Sequence, residues 1–490
     1  MNRVQAGSVF SRAESPSPRT RAVIIFAALF IILVIFKLNT LTAPFHWDAM
    51  RYVIPSAEAI QGDWTQIPKT ASAGHPPLYY ILLVLAWDVF GKTRLVSHLF
   101  DIWLGAIGLT SLLFLGRRLY GWGVAVSATL LLLFNQIFFA QVGIVHLEVA
   151  VMSAEILAVF CYLREKKGLY LVSTMAMLLI KETAAVVLVS ILIFDFFRSL
   201  ARRKRIGAAL GRVGFLALPV APFAIWYALH REVTGWIANV GGILDPSHFF
   251  RTFANNFGRH LIYDTSIETV NRAYPLLFLA AAAGFVVLFK KKKLGAEPLF
   301  LLIILVHAAF FAVIRDKPMP RYFLAIIPFY ALLGARGAVL LSERLPRRNL
   351  WLGLFLLITI GLSVGNYTGR RNTDGWRLES NMEYLDMVRL HQDVGRFLEE
   401  NYPDYGFVTS FPLRVALANP WYGYVKKSLR IIDFAGFQAQ ERVLVVWSAQ
   451  SNFEDIRKFI KANGDGIRLL KQFSHRGKSV RIYEKRSPSP

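Results

Sequence analysis

Apolar runs recur along this chain from residue 22 to residue 367, and that recurrence restricts the fold more than any other feature. A long apolar run is unstable in water, and in lipid its backbone polar groups must be satisfied within the segment, so each run reads as a helix. The candidate spans are 22–38, 95–116, 121–140, 147–163, 169–180, 184–197, 206–229, 273–289, 297–314, 322–342 and 350–367. Two of them, 169–180 and 184–197, are shorter than the roughly 20 residues of a full crossing and read as half-helices meeting near the membrane surface. Composition agrees: 55% of the residues are hydrophobic and 18% charged, against about 25% charged in globular domains. The expected architecture is an all-α polytopic membrane bundle of about eleven transmembrane helices with a small C-terminal α/β extracytoplasmic domain.

The net charge of +24 raises the question of nucleic acid. The excess lies in short clusters beside apolar runs, where it sets topology and touches anionic headgroups, so membrane lipids are the expected partner and nucleic acid is not. With a cytoplasmic N-terminus, Arg117-Arg118, Arg164/Lys166/Lys167, Arg198 to Arg205, Lys290 to Lys293 and Arg344/Arg347/Arg348 all fall inside. Counting 78–90 as a span would put the later clusters outside, so it reads as a helix in the outer interface, within a first periplasmic loop of residues 39–94. Residues 1–21 read as a disordered cytoplasmic N-terminus and 22–370 as the transmembrane module, whose first run lacks a small-residue cleavage site and reads as a retained anchor. A second periplasmic loop covers 231–272; no motif there distinguishes a lid from a plain connection. Helical periodicity at 383–400, then strand-like runs alternating with a helix, give a periplasmic α/β domain at 380–490. Cys161, the only cysteine, lies in an apolar run, which leaves no internal disulfide and no cysteine-based metal site.

That topology gathers the unusual residues on one face. Asp48, His75, Glu148, the Lys181-Glu182 pair and the segment Arg315 to Arg321 all fall outside, and charged groups at span ends mark a pathway or a site. Asp48, in Phe45-His46-Trp47-Asp48-Ala49-Met50-Arg51-Tyr52, can act as a general base beside an acceptor hydroxyl or cap the helix that follows. Glu148 reads as a second carboxylate that tunes Asp48, or as a first-turn acid favoured by the helix dipole. Lys181 suits a phosphate as a point charge; the alternatives are a local ion pair or a snorkelling side chain. Arg315 and Arg321 bring guanidinium forks that match phosphate oxygens, and cations outside run against the positive-inside trend. His46, His75 and His146 show no HxxxH or HExxH spacing, so no metal site is expected.

Four features in chain order resemble the GT-C membrane glycosyltransferases that use polyprenyl-phosphate sugars, such as the protein O-mannosyltransferases and the lipid A aminoarabinose transferases. They are Asp48-x-x-Arg51-Tyr52 after the first span, His75-Pro76-Pro77-Leu78 closing the first loop, Glu148 after the third span, and Arg321-Tyr322-Phe323 with Pro328. The resemblance covers roughly residues 22–345. It implies an inner-membrane enzyme that transfers one sugar with inversion on the periplasmic face, with Asp48 and Glu148 as the catalytic carboxylates. The donor phosphate would sit among His75, Lys181, Arg315 and Arg321, with Arg51, Tyr52, Tyr79 and Tyr322 positioning substrate and the polyprenyl tail in a groove between spans. Many relatives carry an acidic pair at the first motif. Here the second position is Ala49, and relatives with this layout work without metal, so no cofactor is implied. The acceptor is left open among lipid, glycan and protein. A flippase for a lipid-linked anion would show midplane charges and paired halves, which are not apparent in the sequence; a non-catalytic envelope-assembly scaffold would tolerate Asp48→Asn.

Overall fold

The computed structural model describes residues 17–69, 74–202, 205–236, 253, 256–257, 274–314, 319–365, 367, 379–437, 442–449 and 454–485. Its helices follow the apolar runs. α1 (Pro18–Lys37) starts where the Ser17 side chain accepts from the Thr20 amide, a normal N-cap. α2 (Ile54–Gly62) and α3 (Leu78–Phe90) occupy the first loop. The bundle continues with α4 (Arg94–Tyr120), α5 (Trp122–Leu133), α6 (Gln136–Gln141), α7 (Leu147–Leu163), α8 (Lys167–Ile180), α9 (Ala185–Ala201), α10 (Ile206–Ala217) and α11 (Val220–Thr234). It closes with α12 (Tyr274–Lys290), α13 (Glu297–Ile314), α14 (Ile327–Ser342) and α15 (Arg348–Val364).

Among the described residues, three helical stretches are long and apolar enough to cross a membrane alone: Pro18–Thr40, Arg94–Tyr120 and Glu182–Ala201. A fourth is the pair α10 and α11, bent by 50° where Pro219 cannot continue the hydrogen-bond ladder. The other apolar helices are shorter, so the eleven expected crossings do not appear as eleven full-length helices. The expected span 121–140 is broken at Asn135, whose side chain accepts from the Ile137 and Phe138 amides and starts α6 afresh. Residues 184–197, expected as a half-helix, lie in a full-length one because the turn Glu182–Ala184 runs directly into α9. α12 and α14 pack closely through small residues: a Cβ on Gly337 would overlap the Ala280 carbonyl, and small side chains are what let two membrane helices approach this far.

The C-terminal unit is α/β, as the periodicity predicts. α16 (Tyr384–Asn401) packs on a five-stranded sheet of order β2-β1-β3-β5-β4, built from β1 (Gly406–Thr409), β2 (Arg430–Ile432), β3 (Val443–Ser448), β4 (Ile467–His475) and β5 (Lys478–Lys485). β1 runs parallel to β2 and β3, and β5 runs antiparallel to β3 and β4. β3, central and apolar, is buried along almost its whole length, as expected for a strand covered on both faces.

This unit is fused to the bundle. Side chains of α1, α4 and α7 belong to the same continuous apolar core as Leu444 and Val480 of the sheet. The contact is centred on the first loop: the Phe45 amide donates to the Tyr422 carbonyl at 3.1 Å, and the Tyr424 hydroxyl donates to the Phe45 carbonyl at 2.9 Å. The Trp421 ring meets Phe45 edge-on at 5.4 Å, and Phe411 meets Trp47 edge-on at 5.5 Å. The stretch leading into Asp48 is thus gripped by aromatic residues from the far end of the chain.

Candidate active site

Asp48 precedes a wide helical turn, Ala49–Val53, yet its side chain makes no capping bond there, so the helix-cap reading is set aside. Trp47 before it adopts φ 45°, a left-handed conformation that costs a bulky residue on the order of 1 kcal/mol and persists only where packing imposes it. The Asp48 carboxylate turns instead to Arg321, whose Nη2 donates to Oδ2 at 2.5 Å across 273 positions of sequence. Arg321 lies in a short 3-10 turn, Pro320–Ala325, immediately before α14.

Glu148, in the first turn of α7, lies on the other side of the guanidinium. Its Oε1 is 3.3 Å from Arg321 Nε and accepts from Lys181 Nζ at 2.7 Å. Its Oε2 is hydrogen-bonded to His146 Nδ1; the opposite ring nitrogen, Nε2, is 3.7 Å from Asp48 Oδ2. Lys181 is in extended backbone at the end of α8, and its ammonium also lies 4.6 Å from the centre of the Tyr322 ring. Of the alternatives for Lys181, an ion pair holds, but its partner is Glu148. The neighbouring Glu182 pairs instead with His75, at 2.8 Å.

A third carboxylate completes the cluster: Arg321 Nη1 donates to Glu379 Oε2. Sequence reasoning missed Glu379. It stands in Trp376-Arg377-Leu378-Glu379-Ser380, between the last apolar run and the α/β domain, with no motif around it. It is held there from the bundle, because Gln141 Nε2 donates to its backbone carbonyl at 2.9 Å.

The site therefore combines three carboxylates with two permanent cations in a buried setting. Side-chain exposure is 3–6% for Glu148, Lys181, Arg321 and Glu379, and 15% for Asp48. Asp48 is the member of this set most open to an incoming molecule. Burial alone would raise the Asp48 carboxyl, but Arg321 and His146 outweigh it and hold the group well below the usual carboxylate range. Burial likewise draws the Lys181 ammonium down, and Glu148, Tyr322 and Glu182 more than restore it. Arg321 is held protonated by Asp48 and Glu148 despite its burial.

The remaining expected residues are distributed around this centre. The Arg51 guanidinium lies over the rings of Tyr52 and Phe411, at 5.0 and 5.3 Å. Tyr322 stacks on Phe311 at 5.5 Å. Tyr79 is turned into the core, its fully buried hydroxyl donating to Asp101 at 2.9 Å. Arg315, and the 231–272 loop apart from 231–236, 253, 256 and 257, lie outside the described residues.

No protein-family model matches this chain, and none of the curated proteins matches it in sequence. Its fold is that of the GT-C membrane glycosyltransferases. The solved structures it resembles include ArnT from Cupriavidus metallidurans bound to undecaprenyl phosphate, with TM-score 0.52, 14% identity, and 94% of this chain and 98% of that one covered. The same protein in the apo state is similar at TM-score 0.52 and 15% identity, over 95% and 98% of the two chains. The archaeal oligosaccharyltransferase AglB from Archaeoglobus fulgidus, solved with an inhibitory peptide and a dolichol-phosphate, follows at TM-score 0.47 and 14% identity, over 87% of this chain and 69% of that one. At 14–15% identity the likeness to ArnT is one of fold, and its coverage of 94–95% of this chain takes in both the bundle and the C-terminal unit.

Proposed function

We propose that this protein is a membrane glycosyltransferase that moves a single sugar, with inversion, from a polyprenyl-phosphate donor to an acceptor hydroxyl on the periplasmic face. The observation that carries the reading is the part-buried Asp48–Arg321 pair, with Glu148 and Lys181 beside it. In this reading the donor phosphate competes with the carboxylates for Arg321 and is met by Lys181 and, at the rim, by His75. Arg315 belongs to the same proposed cradle. Once Arg321 turns to the phosphate, Asp48 loses the partner that depresses its pKa and becomes a better base. Its carboxylate then takes the acceptor's proton as the acceptor oxygen bonds to the anomeric carbon. The carbon–oxygen bond to phosphate breaks, and its electron pair stays on the phosphate. Charge grows on the leaving phosphate as that bond breaks, so fixed cations stabilise the transition state more than the ground state.

The topology proposed with this chemistry keeps the N-terminus cytoplasmic and sets the site and residues 380–490 on the periplasmic side of a module spanning 22–370. The basic clusters support it. The acceptor class, whether lipid, glycan or protein, does not follow from the carboxylate cluster.

Turnover tests the reading directly. Purified wild type and Asp48→Asn are incubated with radiolabelled short-chain polyprenyl-phosphate sugars, each with a panel of acceptors, and release of polyprenyl phosphate is measured. Release by wild type, reduced about 10²–10⁴-fold in the variant, is expected. Binding of no donor would overturn the glycosyltransferase reading, whereas equal release by both proteins would remove Asp48 as the base.

A further inference from the structure

At the end of the bundle away from Asp48, a cavity of about 540 Å³ opens between the start of α1 and the ends of α4 and α7. Four of its lining residues are arginines, Arg21, Arg117, Arg118 and Arg164; Phe114 and Phe160 also line it, and no acid does among the described residues. α7 connects the two ends. It is 17 residues long, from Leu147 beside the carboxylate cluster to Leu163, or about 25 Å at 1.5 Å per residue. That is close to the hydrocarbon thickness of a bilayer, about 30 Å, so the cavity lies at the opposite membrane surface.

Two of the arginines are braced by aromatic rings, Arg117 over Trp122 at 4.4 Å and Arg164 over Phe160 at 5.7 Å. Arg117, Arg118 and Arg164 bring three like charges to one hollow, an arrangement that an anion seated there would favour. Guanidinium forks match phosphate oxygens and give up their hydration more readily than ammonium groups. Beside the cavity, α1 is largely uncovered by the rest of the protein: only Leu33 and Lys37 of its residues are buried, and Val23 and Ile24 are 66% and 54% exposed.

We propose that this cavity binds the phosphodiester headgroup of an anionic membrane phospholipid, whose acyl chains run along α1. Topogenic arginines need only lie on the correct side of the membrane. Here residues from three helices share one hollow with apolar walls, which is the form of a headgroup pocket between spans. The proposal rests on membrane insertion and is independent of the glycosyl-transfer chemistry.

The test uses the full chain, purified and delipidated in neutral detergent, with thermal unfolding followed during titration. Short-chain phosphatidylglycerol is expected to raise the unfolding midpoint saturably, while phosphatidylcholine and inorganic phosphate leave it unchanged. In R117Q/R118Q the half-saturating concentration should rise about tenfold, and in the control R344Q/R347Q, from another basic cluster, it should not move. A response to phosphatidylglycerol undiminished in R117Q/R118Q, or an equal response to phosphate, would overturn the proposal. Should R117Q/R118Q not fold, a photoactivatable phosphatidylglycerol applied to wild type decides: crosslinks on peptides carrying Phe114 or Phe160 support the site, and crosslinks confined elsewhere refute it.

Discussion

Arg321 is the residue through which the site is connected, and its three carboxylate partners make its substitutions informative. Removing the guanidinium in Arg321→Ala would leave Asp48, Glu148 and Glu379 with Lys181 as the only permanent cation paired with them among the described residues. Breaking a buried pair in this way costs about 3–5 kcal/mol, so Arg321→Ala should lower the unfolding midpoint as well as donor binding. Arg321→Lys keeps the charge and loses the fork; it should stay folded in detergent while donor KM rises. A folded, fully active Arg321→Ala would remove this residue from the phosphate site. Glu379 makes the opposite prediction. Under the proposed function its carboxylate competes with the donor for the same guanidinium, so Glu379→Gln should lower donor KM by roughly threefold or more without abolishing turnover. A rise in KM would mean that Glu379 helps to hold the donor.

At the scale of elements, the seam between the first loop and α16 contains two buried histidines. His46 lies against the Tyr384 ring at 5.5 Å, and His391 Nε2 is 3.2 Å from Ser448 Oγ of β3. Burial pushes both imidazoles down to about 3. In the unfolded chain they titrate near 6.5. The unfolded state therefore takes up these protons first as pH falls. The stability they contribute is intact above about 6.5 and is lost toward 3, at roughly 1.4 kcal/mol per pH unit for each histidine. The unfolding midpoint should drop between pH 7.5 and 5.5, and His391→Gln should flatten that dependence. An unchanged slope in the variant would assign the acid sensitivity to other groups. The same contact presents Trp47 and Asp48 to Arg321, so under the proposed function the seam bears on the site as well as on stability.

On the scale of the whole molecule, the C-terminal unit and the bundle share one core beside the carboxylate cluster, and the proposed topology sets that cluster and the C-terminal unit on the periplasmic side. Lys427 is exposed on the C-terminal unit and Arg348 at the start of α15, while Cys161 is buried. In intact cells, Lys427→Cys should react with a membrane-impermeant maleimide, and Arg348→Cys should react only after permeabilisation. The reverse pattern would invert the molecule and move the carboxylate cluster to the cytoplasm. The structural likeness to ArnT over 94% of this chain extends to the C-terminal unit, which residue motifs alone could not reach because the motif resemblance stops near residue 345.

Local pattern determined a large part of this protein. The apolar runs dictated helices because a backbone in lipid has no other means of satisfying its polar groups, and alternating periodicities marked the strands of the C-terminal unit where they occur. Charges at span ends singled out Asp48, Glu148, Lys181 and Arg321, which converge in space. Partner choice was not legible: nothing in Lys181-Glu182 indicates that the two side chains turn to different partners, Glu148 and His75. Nor could Glu379 be found, since its importance comes from a guanidinium 58 positions away and a backbone contact with Gln141. The helix breaks at Asn135 and Pro219, by contrast, come from local chemistry, a side-chain cap and a missing amide N–H. Secondary structure follows from interactions within a few residues of one another, whereas the pairing of buried charges is decided only when distant segments are packed together and water is excluded from between them.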